Sequence, residues 1–140
     1  MKKLIVGLLA SFLIASGLVA FTGSPSTAAC PYTGCIATNS NISGPGAVRQ
    51  NTAPTFKISV TPRAGNARVR GSVKITVARK GGGFKNTRTT SYTGSRKSVK
   101  GPRLRKTGRY TVTMVFTPAR NSVYRASKDS YSLKVVKRRR

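Results

Sequence analysis

Histidine and tryptophan are absent from this chain of 140 residues, and Asp129 is its only acidic side chain. These absences exclude whole classes of chemistry. Hydrolysis by paired carboxylates needs two acids. Ser-His-Asp and Cys-His arrangements need an imidazole. A calcium site needs several oxygen ligands, mostly carboxylates, and a zinc site needs more cysteine or histidine than Cys30 and Cys35 supply. Lys106-Thr107-Gly108 matches one signature of penicillin-recognising enzymes, but the partner Ser-x-x-Lys occurs nowhere. Gly81-Gly82-Gly83-Phe84-Lys85 lacks the Gly-Lys-Ser/Thr ending of a phosphate-binding loop and reads as a flexible hairpin. The expectation is therefore no enzyme, no metal and no cofactor.

Cysteine is nearly as scarce as acid. Cys30 and Cys35 lie in Cys-Pro-Tyr-Thr-Gly-Cys, too widely spaced for the two-residue redox motif. Outside the cytoplasm two such residues usually pair. Pro31 and Gly34 suit a tight turn between them, so a local disulfide that closes a small loop is expected.

What the chain has at its start is a targeting pattern. Lys2 and Lys3 precede an apolar run from Leu4 to Phe21, and small and polar residues follow to Ala29. This is the layout of a secretory signal peptide of the bacterial kind, with cleavage near Ala28 or Ala29. A membrane anchor is the other reading of the run, which is near the lower length limit for a spanning helix. Thr27-Ala28-Ala29-Cys30 also resembles a lipoprotein signal, which would place a lipid on Cys30; Leu is usual where Thr27 stands. Asn41-Ile42-Ser43 has the form of a glycosylation sequon and is read as chance, because the export signal looks bacterial. Residues 1–29 are thus assigned to a cleaved signal, 30–46 to an N-terminal linker with Cys30 and Cys35, 47–137 to one domain and 138–140 to a basic tail. The product is expected outside the cell, secreted or associated with its surface.

Helix signals are missing, and alternation dominates. Ile36 to Gly46 is rich in Asn, Ser, Thr and Gly and reads as a linker or an opening edge segment. Phe56, Ile58 and Val60 then alternate with Lys57, Ser59 and Thr61. Val69, Gly71, Val73, Ile75 and Val77 alternate with Arg70, Ser72, Lys74, Thr76 and Ala78. Residues 85–92 read as a strand of undetermined facing, and 95–100 as a short, very basic one. Tyr110, Val112, Met114 and Phe116 form one apolar face, and Tyr131, Leu133 and Val135 another. Short strands separated by turn signals point to an all-β sandwich or barrel. One apolar and one polar face per strand fits antiparallel sheets solvated on one side.

Leu104-Arg105-Lys106-Thr107-Gly108-Arg109-Tyr110-Thr111-Val112 resembles the tyrosine corner of immunoglobulin-like sandwiches. The resemblance implies that Tyr110 bonds back to the preceding corner, Leu104 plugs the core and Gly108 permits the turn. Gly71-Ser72-Val73-Lys74-Ile75-Thr76-Val77 and the stretch from Phe116 through Asn121-Ser122-Val123-Tyr124 are similar to strands of the bacterial Ig-like domains of secreted and surface proteins. Over residues 47–137 this implies a single antiparallel Ig-like β-sandwich of about seven strands, used for binding or adhesion. The departure is charge. Arg120, Arg125 and Lys128 stand in loops where such domains often carry acids.

The remaining chemistry is anion binding. Lysine and arginine number 27, for a formal net charge of +26. A charge run is usually a solvated face, but solvated faces usually mix signs. The alternation points Arg70, Lys74, Arg109 and Lys134 outward together from one sheet, with Arg96, Lys97, Lys100, Arg103, Arg105 and Lys106 on a neighbouring edge and corner. The expected partners are anionic polymers: teichoic acid, polysaccharide or extracellular DNA, with membranes contacted only peripherally. Aromatics fall on core-facing positions, which argues against stacking platforms for nucleic acid. Two other readings stay open: an extracellular nucleic-acid-binding or cationic membrane-active protein, and a structural Ig-like domain with a protein partner.

Overall fold

The computed structural model describes residues 34–138, all of it strand, bridge, turn and loop. The expected signal peptide, its cleavage site, the lipidation option and Cys30 lie outside the described residues. Cys35 is disulfide-bonded.

Eight strands form two sheets. They are β1 (Thr38–Ser43), β2 (Ala47–Arg49), β3 (Thr55–Pro62), β4 (Gly71–Arg79), β5 (Lys85–Tyr92), β6 (Lys97–Lys100), β7 (Gly108–Pro118) and β8 (Ser127–Val136). The smaller sheet runs β1-β3-β6 and the larger β2-β8-β7-β4-β5. The larger sheet has β7 near its centre, in register with β4 from Gly71↔Pro118 to Arg79↔Tyr110 and with β8 from Gly108↔Val135 to Phe116↔Ser127.

The core follows from the alternation. Phe56, Ile58 and Val60 of the small sheet face Val73, Ile75, Val77, Tyr110, Val112, Met114, Phe116 and Leu133 of the large one, all of them buried. A one-residue slip of any strand would turn these faces outward, so burial itself pins the register. Gly71 has no room for a side chain: a Cβ there would collide with the Thr117 carbonyl and the Phe116 ring.

Two differences from the sequence reading concern the start of the domain. The segment read as a linker or an opening edge segment is an edge strand: β1 pairs with β3 from Thr38↔Pro62 to Ser43↔Lys57, and Ile42 is in the core. The folded unit therefore begins before residue 47. Its alternation is weak in the sequence because two of its inward positions are hydroxyls. Thr38 Oγ1 donates to the Arg125 carbonyl at 2.8 Å, and Ser40 Oγ meets Ser127 Oγ at 2.6 Å, so polar side chains here bridge to β8. The chain then changes sheets over 44–46 without reversing. Ile36 bridges Tyr124 in parallel, and β2 pairs with β8 in parallel from Ala47↔Lys134 to Arg49↔Val136. This is how about seven expected strands become eight, with one parallel pair.

Each open side of the sandwich is closed by polar side chains. Asp129 Oδ2 accepts the Ile42 amide at 2.8 Å, and its Oδ1 accepts the Ser130 amide at 2.8 Å. The only carboxylate is thus spent on backbone donors between β8 and the free edge of β1. On the other side, Lys97 Nζ donates to Thr90 Oγ1 at 2.9 Å and to the Ser91 carbonyl at 3.1 Å, and Arg88 Nη1 donates to the Lys100 carbonyl at 3.1 Å. Strand β6 starts at Lys97, opposite Ile58, and so does not reach the Val60 amide, which donates instead to the Tyr92 hydroxyl at 2.9 Å.

Tyr131 breaks the pattern. Its ring packs edge-on against Phe56, with centroids 6.3 Å apart, but its buried hydroxyl has no hydrogen-bond partner. Burial pushes its pKa from 10.0 to about 12. Tyr131→Phe keeps the ring and removes the orphan oxygen, so equal or slightly greater stability is expected, by up to about 1 kcal/mol. The folded hydroxyl ionises later than the unfolded one, so its contribution is complete below pH 10 and is lost as pH rises toward 12. The phenylalanine variant lacks that loss. Urea midpoints of the two chains at neutral pH and near pH 11 should therefore move apart at the higher pH, in favour of the variant.

Candidate polyanion-binding surface

The site is built from a corner. Tyr110 opens the buried face of β7, and its hydroxyl donates to the Lys106 carbonyl at 2.8 Å. The ring packs edge-on against Phe84, with centroids 5.8 Å apart. Gly108 has φ of +133°, a backbone conformation that side chains disfavour, and a Cβ there would meet Arg79 Nε at 3.2 Å. Leu104 is fully buried, and its backbone is held on both sides: the Asn51 amide donates to its carbonyl at 2.7 Å and its own amide donates to Thr52 at 3.0 Å. Because Leu104 points in, Arg103 and Arg105 on either side of it point out. Lys106 follows them, also exposed.

Other connections meet the corner at the same end of the sandwich. Gln50 Nε2 donates to the Arg105 carbonyl at 2.6 Å, and Arg79 Nε donates to the Thr107 carbonyl at 3.2 Å. The Lys80 amide donates to the Arg109 carbonyl at 2.8 Å. Arg109 and Lys134 are direct cross-strand neighbours on the outer face of the large sheet. Like charges placed opposite each other are unfavourable. The turn from β4 to β5 uses Gly81, Gly82 and Gly83, all at positive φ, which lets the chain reverse tightly between Lys80 and Lys85.

The structure divides the nominated cations. Arg103, Arg105, Lys106, Arg109 and Lys134 come together at the corner end, with Lys100 at the close of β6. Lys74 shares the outer face of the large sheet with Arg109 and Lys134 but sits six register positions along from Arg109, opposite Val115. At the strand rise this is about 20 Å away. Arg70 precedes β4 and, with Arg96, lies at the far end, where the β3–β4, β5–β6 and β7–β8 connections gather. Lys74, Arg109 and Lys134 thus share the outer face of one sheet, spread along the length of β4 and β7, with Arg70 just before β4. Lys97 has hydrogen-bond partners within the chain. It is tied across the sandwich to β5, a structural role its position on the inner face of β6 imposes. In the sequence Lys80 belongs to a basic cluster with Arg79, Lys85 and Arg88, and Arg49 stands alone; the proximity of both to the corner comes only from the pairing of distant strands.

Both ends of the molecule are cationic. At the corner end the buried Leu104 and the Tyr110–Lys106 bond hold the loop in place, as buried Val69 and the Ala119–Arg70 backbone bond hold the connections at the far end. The one acidic side chain is already bound to two amides, so among the described residues these cations have no free side-chain carboxylate to pair with. Among the described residues no group of three or more His, Cys, Asp or Glu side chains comes together.

No family model matches the sequence, and no curated protein matches it. Solved structures do match in shape. A superoxide reductase (neelaredoxin) from Ignicoccus hospitalis is 15% identical with a TM-score of 0.53, over 71% of this chain and 82% of that one. The CARDB domain of a Pyrococcus furiosus protein, solved in complex with di-metal ions, is 18% identical with a TM-score of 0.50, over 76% of this chain and 99% of that one. At such identities the likeness concerns the fold. The chain is an Ig-like β-sandwich, while the reductase activity and the metal ions belong to those proteins.

Proposed function

We propose that this chain is a non-enzymatic, exported Ig-like binding module that holds anionic polymers of the cell envelope against the corner end of its sandwich. The observation that carries the reading is the convergence there of Arg103, Arg105, Lys106, Lys80, Arg109 and Lys134 around a loop fixed by Leu104 and Tyr110. The held backbone fixes where these side chains start, so the loop itself loses little freedom when an anion arrives. Their attraction is long-ranged at low salt and screened within about 8 Å at physiological ionic strength. Export is supported by the signal layout of residues 1–29. The lack of histidine and of a second carboxylate supports a role without catalysis.

Two variants of equal charge test it. The first replaces Arg105, Lys106, Arg109 and Lys134 with glutamine. The second makes the same change at Arg68, Arg96, Arg120 and Arg125, all exposed at the far end. Binding to an immobilised anionic polysaccharide is measured at physiological salt. The corner variant is expected to lose at least about tenfold in affinity, or roughly 1.4 kcal/mol, and the far-end variant much less. Equal losses would mean that net charge, with no defined site, does the binding.

A further inference from the structure

We propose that the outer face of the large sheet is a trough for an anionic polysaccharide laid across the strands. This rests on the polyanion reading above and adds the ligand's second chemical requirement, ring hydroxyls. The register gives the trough its walls. One is the row Lys134–Arg109, extended by Lys80 past the end of β4; the other is Lys128–Val115–Lys74. They lie six residues apart along β7, about 20 Å at the strand rise.

Between the walls every outward side chain on the three inner strands is short. The two intervening rows are Ser132–Thr111–Ala78 and Ser130–Thr113–Thr76, continued on β5 by Lys85 and Thr87. The floor is therefore recessed beneath long cationic side chains and is lined mainly by hydroxyls. Thr76 and Thr87 hydroxyls lie 3.2 Å apart, so neighbouring strands present their oxygens in line. Strands are about 4.8 Å apart, close to the length of one pyranose unit in a 1,4-linked chain. A polysaccharide crossing the strands would thus set roughly one ring over each strand. Its hydroxyls would meet Ser and Thr, which both donate and accept, and its carboxylates would reach the lysines and Arg109 at the walls.

The same face suits nucleic acid less well. The aromatic side chains Phe56, Tyr92, Tyr110 and Phe116 are buried, so the face has no stacking platform for bases. A bare polyanion would use the walls and ignore the floor.

The test pairs Thr111→Val and Thr113→Val in one chain. Valine matches threonine in shape and in strand preference, and a thermal melt confirms that the variant is folded. Affinities of the native and variant chains are compared for polygalacturonate, which has ring hydroxyls, for inorganic polyphosphate, which has none, and for duplex DNA. The variant is expected to bind polygalacturonate about five- to thirtyfold more weakly and the other two unchanged, as the loss of one or two hydrogen bonds implies. Equal affinity of both chains for polygalacturonate, or equal losses on all three polymers, would overturn the trough while leaving the polyanion reading intact. Tighter native binding to DNA than to polygalacturonate at equal salt would overturn it in favour of nucleic acid. Failure of the native chain to bind any of them would defeat both.

Discussion

Leu104→Ala is expected to destabilise the domain by about 2–5 kcal/mol, the cost of emptying a buried leucine site that cannot fully collapse. The side chain is completely buried, and both its amide and its carbonyl are bonded to the 51–52 segment. Those bonds hold the surrounding backbone and limit how far it can close on the cavity. A domain of this size has a total stability of roughly 5–15 kcal/mol, so the change removes a large share. Self-repulsion among the cations works in the same direction at low ionic strength, and the variant should regain some stability as salt is added. Denaturant midpoints at low and moderate salt measure both effects. A loss under about 1 kcal/mol would mean that the corner is not anchored by Leu104. The cations on either side of it would then lack the fixed geometry on which the binding site depends.

The second large effect is on binding. Duplex DNA serves as a calibrated polyanion, because each phosphate neutralised adds about 0.9 to the slope of log affinity against log salt. If Lys80, Arg103, Arg105, Lys106, Arg109 and Lys134 all engage, the affinity should fall roughly 10³-fold between 50 and 200 mM salt. This is far steeper than any effect of salt on the fold. A nearly flat dependence would place the binding energy in contacts other than charge. The slope also separates a defined site from a diffuse one: contacts spread over both ends would give a slope that neither four-residue neutralisation lowers much.

The alternation of Phe56, Ile58 and Val60, and of Tyr110 through Phe116, made the sandwich readable, because each of those strands buries one face and wets the other. The corner was readable through resemblance: Leu104, Gly108 and Tyr110 stand at the spacing of the tyrosine corner of Ig-like sandwiches. Strand β1 was readable only as one of two options, a linker or an opening edge segment, since Thr38 and Ser40 bond across to Ser127 of β8 where apolar residues would normally pack. The facing of β5 was ambiguous because it is an edge strand with most of both faces exposed. Lys97 illustrates the limit for site residues. Charge and exposure make it a binding candidate, and only the placement of β5 beside β6 shows that its amine closes the sandwich. Which cations share a surface depends on pairings between distant strands, such as Arg109 with Lys134, and no local pattern encodes them.

The central claim is that binding is focused at the corner end, and one comparison tests it most directly. Salt titrations of duplex binding are run on the native chain and on the chain with Arg105, Lys106, Arg109 and Lys134 replaced by glutamine. If those four cations make the contacts, the slope should drop by roughly 3–4. Unchanged slopes would contradict the account, because they would show that the cations gathered around Leu104 and Tyr110 do not touch the polymer.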